Sequence, residues 1–106
     1  MLEAKEKKFT TTVFLASRIL NLPQVPKVNF WDSTCPYSGM TTDIAHAHPD
    51  KNMICINKGR LKSLNMDEIE DVAIHETAHM VQIGHDAAFQ KVKNELALGK
   101  WYLEHA

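Results

Sequence analysis

The sequence predicts an α+β fold in which one helix, three strands and two further helices follow one another. Apolar residues recur at helical spacing near both ends of the chain, and short strand-like runs bounded by turn residues lie between them. The 106 residues and the 44% hydrophobic content suit one globular domain, which we expect to span residues 1–106.

The first helix is predicted from about Ala4 to Leu20. Within it, Phe9, Val13 and Ala16 follow the same helical spacing as Leu20. A proline comes three residues later and cannot continue a helix, so the helix is expected to stop before it.

Three strands are predicted in the middle of the chain. The first covers residues 28–31 and is followed by a turn-rich loop. The second covers residues 41–48 and the third residues 53–56, and the turn at 49–52 pairs them as a hairpin. The stretch 59–64 is ambiguous between helix and loop.

The second long helix is predicted from Asn65 to about Ile83. Asn65 and Glu68 have the spacing of a capping box, and Gly84 is a natural residue to follow the last turn. Its apolar face consists of Met66, Ile69, Val72, Ala73, Met80 and Ile83.

The last helix is predicted from Asp86, which caps it, to about Leu103. Phe89, Val92 and Leu96 follow helical spacing and are expected to face the core.

Three of the six histidines lie in the segment HETAHMVQIGHDAAF, residues 75–89. His75 and His79 are four residues apart, which places both imidazoles on one helix face, where they can share a zinc ion at about 2.0–2.1 Å. Glu76 is adjacent to the first ligand and is placed to hydrogen-bond a metal-bound water.

A third ligand is predicted at His85. If the helix breaks at Gly84, the chain can turn back and bring this imidazole to the metal from outside the helix. Three imidazoles leave the fourth tetrahedral position open, which is typical of catalytic rather than structural zinc sites.

This segment resembles the active site of the SprT-like and Wss1-like (WLM) zinc metallopeptidases of the zincin superfamily. The matching residues are His75, Glu76, His79, His85 and, for packing, Phe89. The order of elements around the motif also matches, so the resemblance covers most of the chain, although only the zinc motif is specific. It implies a minimal zincin-like core.

The resemblance implies a zinc-dependent metallopeptidase. Zinc lowers the pKa of its bound water from ~15.7 toward ~7, and Glu76 acts as the general base that later passes the proton to the leaving amine. Compact zincins of another group take a glutamate from the following helix as third ligand, and Glu95 is then the alternative to His85.

In zincins an extended polypeptide substrate adds as an antiparallel strand to the strand that precedes the hairpin turn. The resemblance assigns this role to residues 41–48. Alternation places His46 and His48 on one face of that strand. Either of them approaches the cleft and stabilises the oxyanion, or both are exposed histidines without such a role. Asp86 orients a ligand imidazole, caps the last helix, or does both.

The net charge, the N-terminal sequence and the two cysteines indicate which partners and which cell compartment to expect. The net charge of −1 does not indicate nucleic acid binding, except indirectly. The start MLEAKEKKF does not read as a secretory signal and no run approaches the ~20 apolar residues of a membrane span. We therefore expect a cytoplasmic protein in which Cys35 and Cys55 are reduced thiols; a zinc-capping role for Cys35 is the less favoured alternative.

Two other functions remain open. One is a metal-dependent nucleotide or phosphoester hydrolase on the same scaffold, for which residues 58–62 are the one candidate basic pocket. The other is a non-catalytic zinc-binding interaction module. Glu76 argues against the second, because metal binding alone does not require it.

Overall fold

The computed structural model describes residues 2–31, 44–82, 84 and 86–105, the last six of them as helix backbone only. These residues form α1 (Leu2–Ile19), β1 (Lys27–Trp31), β2 (Ala45–His48), β3 (Met53–Asn57), α2 (Lys58–Lys62), α3 (Met66–Ala78) and α4 (Ala87–His105). The predicted α+β class and the predicted order of elements are confirmed. The short helix α2 begins one residue before the ambiguous stretch 59–64 and covers its first four residues.

The three strands form one mixed sheet in the order β1-β3-β2. The β1 strand pairs with β3 in parallel, whereas β2 pairs with β3 antiparallel and forms the predicted hairpin. A 3-10 turn at Pro49–Lys51 joins the hairpin strands, and Asn52 follows in the left-handed conformation with φ 49°. Among the strands that the structure describes, β2 thus lies at one edge of the sheet.

The main core lies between one face of the sheet and the helices α1, α2 and α3. Its fully buried members are Phe9, Val13, Ile54, Ile56, Leu61, Ile69 and Ala73. Ala45 and Ala47 of β2 pack against this cluster. The other face of β2 therefore carries His46 and His48, as alternation predicts.

A second core joins α4 to α3 and α1. Its buried members are Ala16, Ile74, Ala78, Phe89 and Leu96, with Val92 packed against them. The predicted inward face of α4 is confirmed. Because α3 contributes to both cores, it is held from several sides.

The helix starts agree with the capping residues in the sequence. Asn65 accepts a hydrogen bond from the N–H of Glu68 at 2.8 Å, and the Glu68 carboxylate accepts one from the N–H of Asn65 at 2.9 Å. This is the predicted capping box. Asp86 likewise accepts a hydrogen bond from the N–H of Phe89 at 3.1 Å, which confirms it as a cap of α4.

The predicted end of α3 near Ile83 is wrong, because the helix ends at Ala78. His79 has φ −66° and ψ −16°, and the N–H groups of Met80 and Val81 bond three residues back instead of four. The helix therefore tightens into a turn five residues before the predicted stop.

The strand predicted over residues 41–48 is confirmed for Ala45–His48, whereas Ile44 lies just before the strand and residues 41–43 lie outside the described part of the chain. One smaller expectation fails. Met66 is 41% exposed instead of facing the core, because it is the first residue of α3 and lies at the surface. None of the helices that the structure describes combines the length and apolarity of a membrane span.

Candidate metal centre and its cleft

His75 and His79 bring their Nε2 atoms to 3.2 Å from each other. Their ring centroids are 4.8 Å apart and the ring planes are nearly perpendicular, at 76°. Two nitrogens bound to one tetrahedral zinc at 2.0–2.1 Å lie roughly 3.3 Å apart. The separation of the two imidazole nitrogens therefore fits two zinc ligands.

The early end of α3 fixes the tautomer of His79. Its Nδ1 lies 3.0 Å from the carbonyl oxygen of Gln82. A carbonyl only accepts, so Nδ1 carries the proton and Nε2 holds the lone pair that a metal needs. Metal-binding histidines commonly donate their other ring N–H to such an acceptor.

The ring of Phe89 contacts both imidazoles. Its ring is stacked on that of His79, with centroids 4.4 Å apart and an interplanar angle of 21°. It meets the ring of His75 edge-on, at 5.0 Å and 72°. The Phe89 side chain is fully buried, so α4 supports the histidine pair with a rigid apolar surface.

Glu76 follows His75 directly and is only 9% exposed. It lines the same cleft as both imidazoles. A carboxylate this buried beside two imidazoles is suited to accept and return a proton.

The cleft has a volume of about 710 Å³. One wall is formed by Asp71, Val72, His75 and Glu76 of α3 and by His79, which directly follows the helix. The opposite side includes three successive residues, Ile44, Ala45 and His46. Because successive strand side chains point to opposite faces, the edge of β2 rather than one of its faces borders the cleft.

Only one of the two candidate oxyanion residues reaches this cleft among the described residues. His46 lines it, whereas His48 stands at the far end of β2 beside the turn. Burial is the main cause that lowers the pKa of His48 below its ordinary 6.5, and His46 lowers it further. Asp50 acts in the opposite direction, and Lys51 again lowers it.

The predicted third ligand cannot be placed next to His75 and His79 among the residues that the structure describes. His85 lies outside them, as does Cys35. Within the described ranges, no three His, Cys, Asp or Glu side chains converge on one point. Glu95, the alternative ligand, is exposed and borders a separate shallow pocket on α4 with Lys91 and Leu98.

Sequence reasoning named the run 58–62 as a candidate basic pocket, but it did not place Asp71 or Lys93 in the cleft. Arg60 of α2 and Lys93 of α4 line it together with Asp71. The basic run around Arg60 was visible in the sequence, but its position beside α3 depends on tertiary packing. Lys93 follows Phe89 by four residues, and its Nζ lies 5.9 Å from the centre of that ring.

A partial relative is found among curated proteins. The chain is 31% identical over 77 residues to a protein described as a protease HtpX homolog from Fusobacterium nucleatum. The alignment covers 73% of this chain and 24% of that protein, so the chain spans about a quarter of the relative's length. No protein-family model and no solved structure matches the chain. The similarity is thus to part of a protease, and this relative is not described as SprT-like or Wss1-like.

Proposed function

We propose that the protein is a zinc-dependent metallopeptidase that cleaves extended polypeptides. The observation that carries this proposal is the pair of Nε2 atoms 3.2 Å apart with the buried carboxylate of Glu76 at the next position. The partial similarity to a protease supports the same chemistry.

His75, His79 and His85 would hold the zinc ion. The first two fit it by their separation, and the Gln82 carbonyl, by accepting from Nδ1 of His79, leaves the lone pair of that imidazole on Nε2. When bound, zinc supplies a Lewis acid that lowers the pKa of water and polarises a carbonyl group.

Glu76 is the proposed general base. It accepts a proton from the attacking water and delivers that proton to the amine that leaves. Its burial in the cleft keeps it out of bulk solvent, where its hydrogen bonds would be weaker. His46 lines the same cleft and is the better placed of the two candidate residues to donate to the developing oxyanion.

The edge of β2 is the proposed substrate platform. Its neighbour in the sheet is β3 on one side, and the cleft borders it through Ile44, Ala45 and His46. An extended peptide that adds there satisfies backbone hydrogen-bonding groups of the edge strand. This contact is independent of side chains, so a polypeptide rather than a single amino acid is the expected substrate.

The test is the Glu76→Gln variant, assayed with unstructured polypeptides and analysed by mass spectrometry. We expect zinc content to be retained and peptide-bond cleavage to fall by at least ~10²-fold, because the general base is lost. Glu3→Gln makes the same chemical change at an exposed position of α1 and serves as the control. Wild-type activity in Glu76→Gln would overturn the proposed role.

A phosphoester hydrolase is the second candidate, because Arg60 and Lys93 place two cations in the cleft. Nucleoside triphosphates and p-nitrophenyl phosphate, assayed under the same conditions, distinguish the two activities. Turnover of these compounds without peptide cleavage would replace the peptidase proposal. Zinc binding with neither activity would indicate the interaction module.

A further inference from the structure

Arg60 provides a positive charge at one end of the cleft. We propose that it selects substrates with a carboxylate on the leaving-group side of the scissile peptide bond. The inference rests on the proposed peptidase function and names a specificity that the zinc motif does not contain.

Arg60 differs from the nearby Lys8 and Lys58, each of which has a carboxylate close by. Lys8 forms an ion pair with Glu70, and Lys58 lies 4.0 Å from the carboxylate of Glu6. Among the described residues, the guanidinium of Arg60 takes part in no ion pair or side-chain hydrogen bond. Its side chain lines the cleft and is exposed, so its five N–H donors are available to a ligand.

The place of each charge in the cleft, rather than their sum, favours a carboxylate at Arg60. Besides the histidines, the charged residues that line the cleft are the cations Arg60 and Lys93 and the anions Asp71 and Glu76. The short Asp71 side chain stays close to α3, whereas the long arginine side chain reaches further from α2. A guanidinium matches a carboxylate with two parallel hydrogen bonds, which gives it selectivity for that group.

The position of Arg60 along the cleft indicates which part of the substrate it meets. The N–H of Asn57 donates to the carbonyl of Ile44 at 2.9 Å, and the Asn57 side chain caps α2 by accepting from the N–H of Arg60 at 3.2 Å. Arg60 is therefore held near the start of β2. A peptide antiparallel to β2 places its C-terminal half beside that end.

A carboxylate on this side of the scissile bond has two sources. It is either an aspartate or glutamate side chain, or the free C-terminus of a short peptide. Both present the same group to the guanidinium, and peptides with amidated or free C-termini distinguish them.

The first experiment uses synthetic peptides that differ only in carrying Glu, Gln or Lys at the two positions after the cleaved bond. Each is made with an amidated and a free C-terminus, and products are identified by mass spectrometry. For wild type, we expect kcat/KM to be about tenfold higher for a carboxylate-bearing peptide than for its neutral counterpart. The preference should weaken as ionic strength rises.

Variants assign the preference to a residue. Arg60→Ala should give equal kcat/KM values for the Glu and Gln peptides. Arg60→Glu should give the highest kcat/KM for the Lys peptide. Lys62→Ala is the matched control, because Lys62 is exposed on the same short helix and does not line the cleft. Asp71→Asn should increase the preference for carboxylates.

A binding measurement separates this inference from the peptidase proposal. Fluorescence anisotropy of labelled Glu and Gln peptides with the Glu76→Gln protein reports the preference without turnover, and Arg60→Ala in that background should abolish it. Equal affinity for both peptides would overturn the Arg60 inference even if wild type cleaves them. If the protein instead prefers the Lys peptide and Asp71→Asn removes that preference, the specificity belongs to Asp71. This result would also contradict the Arg60 inference.

Discussion

The ring of Phe89 is stacked on the imidazole of His79, with centroids 4.4 Å apart and planes 21° from parallel. The two side chains come from different elements, since Phe89 lies in α4 and His79 directly follows α3. The contact therefore couples the packing of the second core to the orientation of a proposed metal ligand.

We predict that Phe89→Ala lowers both stability and zinc affinity. Removing a fully buried phenylalanine costs about 3–5 kcal/mol of unfolding free energy. The histidines also lose their support, so zinc affinity of the folded protein should fall about tenfold. Leu96→Ala is the control, since it empties the same core without touching either imidazole. Thermal unfolding and competition with a zinc chelator measure the two effects, and equal zinc affinities in both variants would contradict the coupling.

The capping box of α3 should contribute measurably to stability. Asn65→Ala removes the acceptor for the Glu68 N–H and should cost about 1 kcal/mol. Glu68→Ala removes the reciprocal bond. Because the two side chains act on the same helix start, the double variant should lose less than the sum of the single losses. Urea unfolding of the three variants tests this, and strictly additive losses would argue against a reciprocal box.

The start of α3 could be predicted from sequence because its cap is formed by residues three positions apart. Its end could not. Gly84 signals a break in the chain, but the helix ends earlier, where His79 bonds to the carbonyl of Gln82 and stacks on Phe89. The second of these contacts comes from α4, so no local pattern contains it.

Some residues of the candidate site could likewise be predicted from local sequence, whereas others depend on tertiary packing. The pairing of His75 and His79 follows from helical spacing, and the 3.2 Å between their Nε2 atoms shows that they share one helix face. Glu76, at the next position after His75, lines the same cleft. Arg60 is separated from them by at least fifteen positions in sequence, and it reaches the cleft because α2 packs on the core through Leu61. The sequence marks the run 58–62 as a candidate basic pocket, but its place beside the histidines becomes visible only when the tertiary arrangement is known.

The pKa of His48 predicts a pH dependence of stability. Because burial and His46 lower the folded-state pKa below 6.5, the unfolded chain binds the proton more readily. As the pH falls below 6.5, protonation of His48 stabilises the unfolded chain more than the folded protein, so the free energy of unfolding decreases until the pH passes the folded-state pKa. Above pH 6.5 His48 is neutral in both states and this effect is absent. His48→Gln should therefore lose less thermal stability than wild type between pH about 7.5 and about 5.5.

NMR titration of the His48 ring protons checks the cause directly. A midpoint below 6.5 is expected. A midpoint at or above 6.5 in the folded protein would contradict the prediction, whatever the unfolding curves show.

The most direct test of the central claim is the zinc content of the purified protein beside its His79→Ala, His85→Ala and Glu95→Ala variants. We predict about one zinc per chain in wild type and in Glu95→Ala, and its loss in both histidine variants. Loss with Glu95→Ala and retention in His85→Ala would assign the third ligand to Glu95. A wild-type protein that takes up no zinc, or a His79→Ala variant that keeps it, would contradict the proposed metal centre itself.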